Sequence, residues 1–216
     1  MKNVAISYGS LFQERRYVQG LISGFCVLIL SFIVANIAGT YATEVAGNSV
    51  NDLILNNLRV RDVTFLHVYA SMLFWFIFSF YLLLRPETLP FVTKTAALFI
   101  FVRSVFISLT HLGAPANNLT IPDNFTNFFL FNGDLFFSGH VGGPFLLLLM
   151  FWSNTIIRYI CGSASILFSY TVLVGHIHYS IDVFAAPFIT YGIYQLSRYF
   201  FARDYDFFEK NHRAYQ

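Results

Sequence analysis

The chain has 216 residues and a net charge of +2, with 56% hydrophobic, 19% aromatic and only 11% charged residues. Soluble domains carry about 25% charged residues, so this deficit and a mean hydropathy of +0.61 exclude an ordinary soluble globule and imply an integral membrane protein. The small positive balance gives no sign of nucleic-acid binding, and the two cysteines, Cys26 and Cys161, lie in apolar stretches and imply no disulfide framework.

A spanning helix needs about 20 apolar residues. Six stretches qualify, at 18–41, 63–84, 92–112, 135–152, 156–175 and 179–201. The expected fold is an all-α six-transmembrane helix bundle. It forms one transmembrane domain over residues 1–216, with 202–216 as a cytoplasmic tail. Arg85-Pro86 stops the second span and Gly113-Ala114-Pro115 the third. Positive charge orients the bundle. Lys2, Arg15, Arg16, Arg85, Lys94, Arg158, Arg198, Arg203, Lys210 and Arg213 alternate with loops that hold only Arg59 and Arg61. Both termini are then cytoplasmic. A cleaved signal peptide is suggested by Glu14-Arg15-Arg16 and the small residues at 35–38. The apolar run exceeds the usual 7–15 residues of a signal, and a retained anchor is expected. Lys94 is expected to snorkel from its span.

In this orientation His67, His111, His140, His176 and His178 fall on the outer side. Any one of them alone reads as a satisfied interfacial histidine, but several from different spans on one leaflet read as a site. His178 and Asp182 are four apart and share a face if helical. Asp182 then orients one ring nitrogen of His178 and leaves the other as nucleophile or base. Ser138-Gly139-His140 follows Asp134 at the start of a span. A helix start with glycine favours an anion such as phosphate beside His140. Arg103 lies mid-membrane, eight residues before His111. An arginine this deep needs an anionic or carbonyl partner, and a phosphate suits its planar fork. The polar loop 113–133 joins the helices of Arg103 and His140 and is expected to rim the site. It carries two glycosylation sequons, at Asn118 and Asn124.

Gly133-Asp134-x-x-x-Ser138-Gly139-His140 and His178-Tyr179-Ser180-x-Asp182-Val183-x-x-Ala186 resemble two motifs of the sphingomyelin synthase family, within the type-2 phosphatidic acid phosphatase superfamily. The segment from Arg103 to Pro115 is similar to that family's arginine-bearing segment, and Val50-Asn51-Asp52-Leu53 loosely resembles its first luminal motif. The resemblance implies a catalytic set of His140, His178 and Asp182 on the exoplasmic side. His178 would form a phosphohistidine, Asp182 would orient it, and His140 would serve as acid and then base. Arg103 would hold phosphate oxygens. Asp134, Ser138, Gly139, Tyr179, His111 and Asp52 are further candidates for contact with phosphate or substrate. The scheme is metal-free and requires no cofactor. Its partners are a phospholipid donor and ceramide or a diacylglycerol-like acceptor.

The sequence also departs from the family. The phosphatase branch has an arginine six residues before the nucleophilic histidine, and Val172 stands there. Val141, Asn132 and Pro187 replace the synthases' usual threonine, cysteine and tyrosine. The leading expectation is lipid head-group phosphotransfer. The alternatives are hydrolysis of a lipid phosphate or phosphodiester, a lipid-binding or transport protein, and a zinc site built on His176-x-His178. The active side faces the periplasm in a bacterium, or the Golgi lumen or cell exterior in a eukaryote.

Overall fold

The computed structural model describes residues 9–119 and 135–213. Asp134 and the sequon residues Thr120 and Asn124 lie outside the described residues. All regular elements among the described residues are helical. Helix α1 is Arg15–Glu44. Helix α2, Phe65–Leu83, opens with a π-helical turn over Phe65–Tyr69. Helix α3 is Leu89–Leu109, led in by a 3-10 turn at Pro86–Thr88. Helices α4, α5 and α6 are Gly139–Met150, Thr155–Val174 and Ser180–Phe200. A terminal amphipathic helix, α7, is Ala202–Arg213.

Four helices are long and apolar enough to cross a membrane: α1, α2, α3 with its leading turn, and α5. Helix α6 has the length, at 21 residues, but Asp182, Thr190, Gln195, Ser197 and Arg198 dilute its apolar character. The expected span at 135–152 differs most. Its helix has only 12 residues, roughly 18 Å at 1.5 Å per residue, because 135–138 is not helical. That segment is nonetheless buried, with Phe137 and Ser138 fully inside. Non-helical backbone inside a membrane protein is tolerated only where it is enclosed by protein or lines a cavity.

Helix α1 lies along α3, while α4 packs on α5 and α6. The core runs through Phe78, Phe99, Phe137, Val141, Phe151, Val172 and Ala186. Outward faces are apolar instead of charged: Phe76, Ile166 and Phe188 are 74%, 73% and 80% exposed. Such a surface suits lipid and not water, and the protein is an integral membrane protein. At one end of the bundle, Lys94 Nζ bonds Asp204 Oδ2 at 2.5 Å. Lys94 is thus paired with α7, where snorkelling to the interface was expected. Phe208 of α7 is buried against Phe91 and Phe151.

Close approach of α4 to its neighbours depends on Gly142. A Cβ there would sit 2.8 Å from Thr190 Oγ1 and 2.9 Å from the Phe99 ring. Neither the buried hydroxyl nor the ring can withdraw without disturbing α3 or α6. Gly142→Val is expected to cost about 1–3 kcal/mol, read as a lowered thermal unfolding midpoint of the purified protein in detergent.

Candidate functional site

The site is built around the backbone that precedes α4. Phe137 and Ser138 lack helical partners, and burial makes unpaired amides and carbonyls costly. Two neighbours satisfy them. Arg103 Nε, from α3, donates to Phe137 O at 2.7 Å. Ser138 N donates to Asp182 O, from α6, at 3.1 Å. The guanidinium therefore lies against the helix start: a Cβ on Gly139 would be 3.2 Å from Arg103 Cζ. The carbonyl partner that a deep arginine requires is present, and the glycine lets cation and backbone meet.

His178 and Asp182 also come together, though not on one helical face. His178 lies in the turn ahead of α6 and Asp182 in its first turn. Asp182 Oδ2 accepts from Tyr179 N at 2.9 Å and so caps the helix from its third position. That bond holds the carboxylate under the turn, where Oδ2 is 3.4 Å from His178 Nδ1. The contact is an ion-pair distance without the direction of a hydrogen bond, since His178 Nδ1 has no hydrogen-bond partner in the resting arrangement. Both side chains are buried. Backbone bonds from Ile177 N and His178 N to Val172 O, at 2.9 and 3.4 Å, shape the turn.

His140 follows Gly139 in α4 and is partly accessible. Its ring is 4.4 Å from that of His67, tilted by 41°. His178 and Arg103 both lie within electrostatic reach of His140, and His178 within reach of His67. His67 is 1% exposed and sits in the π-helical turn of α2, a local widening that recurs at functional sites. It was counted above only among the outer histidines. The signal that bears on it is the convergence of five histidines on one leaflet. Ser138 Oγ, His67 Nε2 and Asp182 Oδ1 are buried without hydrogen-bond partners.

The other candidates lie around this centre. Asp52 uses both oxygens within the protein. Oδ1 accepts from Ile54 N and Leu55 N at 2.8 and 3.0 Å, and Oδ2 from Ser180 N and Ser180 Oγ at 2.7 and 2.8 Å. Burial raises its pKa, but these four donors outweigh burial and hold the carboxyl below its ordinary range. Tyr179 is 2% exposed. Its hydroxyl donates to Gly113 O at 2.8 Å and accepts from Val50 N at 3.0 Å. His111 is exposed beyond the end of α3 and meets Tyr41 Oη at 3.3 Å, away from the cluster. His176 turns away from His178. At φ 51° it directs Nε2 to Leu58 O at 3.0 Å and Nδ1 toward Ala116 O at 3.5 Å. His176 and His178 therefore do not converge on one ion, and among the described residues no group of three or more histidine, cysteine or acidic side chains is arranged to hold a metal.

Residues 132–199, just under a third of the chain, match the family model described as the PAP2 superfamily C-terminal region. That segment contains His140, His178 and Asp182. No curated protein and no solved structure matches the chain.

Asp52 fastens the loop after α1 to the start of α6, and a test of this role follows from its charge. Asp52→Asn replaces an oxygen facing Ser180 N–H with an amide group and is expected to cost about 1–3 kcal/mol. Because the folded-state pKa is depressed, the carboxylate's stabilisation is complete above the unfolded value near 4 and is lost as pH falls through the folded value. The melting-temperature gap between wild type and variant should therefore be full at pH 7 and shrink below about pH 4.

Proposed function

We propose that this protein, whose residues 132–199 belong to the type-2 phosphatidic acid phosphatase superfamily, is a lipid phosphotransferase of the sphingomyelin synthase type. It moves a phospho-head group from a phospholipid donor to ceramide or a diacylglycerol-like acceptor. Lipid phosphate chemistry, by transfer or hydrolysis, is the superfamily's own. The single observation that carries the finer reading is the meeting of His178–Asp182, His140 and Arg103 at the start of α4, around buried polar atoms that lack partners.

In the first half-reaction His178 Nε2 attacks phosphorus and a P–N bond forms. The P–O bond to diacylglycerol breaks, and its oxygen takes a proton from His140. Asp182, 3.4 Å from Nδ1, stabilises the charge that develops on the His178 ring. In the second half-reaction the acceptor hydroxyl gives its proton to His140 and attacks phosphorus, and the P–N bond breaks. Arg103 and the first amides of α4 stabilise the oxyanions in both steps. No metal and no cofactor takes part. Ser138 and Gly139 line the phosphate position. Asp52 and Tyr179 act by fixing the turn that carries His178, Asp134 belongs to the motif ahead of α4, and His111 stands at the rim. The full arrangement proposed is six spans in one domain, with cytoplasmic termini and the site on the exoplasmic face.

Hydrolysis, with water as acceptor, uses the same residues and is the second reading, favoured by the superfamily match. Against it stands Val172, fully buried in the apolar core where the phosphatase branch has an arginine.

Purified protein in nanodiscs, given phospholipid labelled at phosphorus, is expected to trap a phosphohistidine that His178→Ala abolishes. With acceptor present the label should reach a lipid and not water. Asp182→Asn should slow turnover roughly 10²–10⁴-fold and Arg103→Lys roughly 10²-fold. Label appearing only in water-soluble products would reject transfer and leave hydrolysis, and activity retained in His178→Ala would reject both.

A further inference from the structure

Hydrogen bonding around Thr171 favours one tautomer of His67. Thr171 Oγ1 donates its single proton to Phe168 O at 3.0 Å. With its proton on that carbonyl, Thr171 accepts at its 3.5 Å contact with His67 Nδ1, and the ring proton is assigned to Nδ1. The neutral imidazole has one N–H and one lone pair, so Nε2 carries the lone pair. That atom is buried with no partner, in a side chain 1% exposed whose ring lies 4.4 Å from His140. A buried acceptor left unpaired is costly, and such atoms in a site mark where a ligand's donor belongs.

We infer that His67 Nε2 binds an N–H or O–H of the acceptor lipid, beside the hydroxyl that His140 deprotonates. The inference rests on the phosphotransferase reading for the identity of that lipid. It narrows the acceptor class. A ceramide carries a second hydroxyl and an amide N–H close to its reactive hydroxyl, whereas a diacylglycerol offers no second donor. The site thus selects an acceptor with a neighbouring donor through one lone pair on α2. His178 from the turn before α6, Arg103 from α3 and Asp182 from α6 are the charged or titratable groups around the same centre. Of these, His178 has its Nε2 lone pair committed to phosphorus, Arg103 only donates and Asp182 is charged. The Phe168 ring, from α5, meets that of His140 edge-on at 6.3 Å.

The test is equilibrium binding by the full chain in nanodiscs carrying His178→Ala, which removes turnover. The probes are a short-chain ceramide, its 3-deoxy and N-methyl analogues, and a diacylglycerol of equal chain length. With His67 intact, ceramide should bind about tenfold more tightly than at least one of the two analogues, and than diacylglycerol. His67→Phe keeps a flat ring against His140 but removes the lone pair. It should weaken ceramide about tenfold and leave diacylglycerol unchanged, and His67→Gln, which restores an acceptor, should recover part of the loss. Equal affinity for ceramide and both analogues overturns the inference without any variant. So does a loss common to ceramide and diacylglycerol in His67→Phe, or binding of none of the four lipids. Turnover is measured separately, so failure of transfer with selectivity intact would reject the reaction and not this binding role.

Discussion

Four residues of non-helical backbone govern the arrangement of everything near them. A bundle interior offers no water, and each unpaired amide or carbonyl there costs as much as a lost hydrogen bond. The stretch before α4 avoids that cost only through side chain and backbone from two other helices. Arg103 serves Phe137 O and the Asp182 carbonyl serves Ser138 N. The same two residues stand beside His140 and His178. Satisfying the backbone and assembling the polar cluster are therefore one event. A change that frees Arg103 leaves a buried carbonyl without a partner as well as a site without its cation.

The outer end of the bundle repeats the principle at longer range. Asp52 ties the loop after α1 to Ser180, and Tyr179 ties the loops on either side, through Val50 and Gly113, to the start of α6. His176 pins the α5–α6 turn to Leu58 O. Each uses a buried polar group to close a gap between segments far apart in sequence. Together they fix the five-residue turn 175–179 that must hold His178 over Asp182. The short capping bond from Tyr179 N to Asp182 then does locally what a continuous helix was expected to do.

The helices with long apolar runs were readable because lipid surrounds such a run on its outward faces, and a run of that length has little else to be than a spanning helix. Residues 18–41 and 156–175 fall within a few residues of α1 and α5. The run from Leu135 is just as apolar, but its first four residues are not helical. Hydropathy reports what a side chain avoids and not where its amide bonds, so the sequence alone could not place that break. The histidine and aspartate motifs named the centre of the site because their residue types are costly in an apolar chain. His67 has the same cost and counts among the converging outer histidines, but no spacing links it to His140; only a π-helical turn and a tertiary ring contact do. Asp52 and Tyr179 were read as possible contacts to substrate for a similar reason. Their type and motif were visible, while the backbone groups that occupy them come from segments distant in the chain.

Charge balance in the cluster bears on the kind of phosphate it suits. Among the described residues at the site there is one fixed cation, Arg103, and one carboxylate, Asp182, with three imidazoles that are neutral or singly charged. A phosphomonoester carries close to two negative charges at neutral pH, since its second pKa is about 6. A phosphodiester carries one. Holding the dianion in a site of low dielectric calls for a second cation, and the superfamily's phosphatases are expected to have one where Val172 stands. Here that position is sealed into the apolar core with Val141 and Phe137, and an arginine there would bury an unpaired charge among them. Under the proposed reaction, one fixed arginine beside one carboxylate suits the single charge of a phosphodiester, a phospholipid with its head group still attached, better than a dianion. The donor proposed for the site thus draws on the same scarcity of charge that lets the chain live in a membrane.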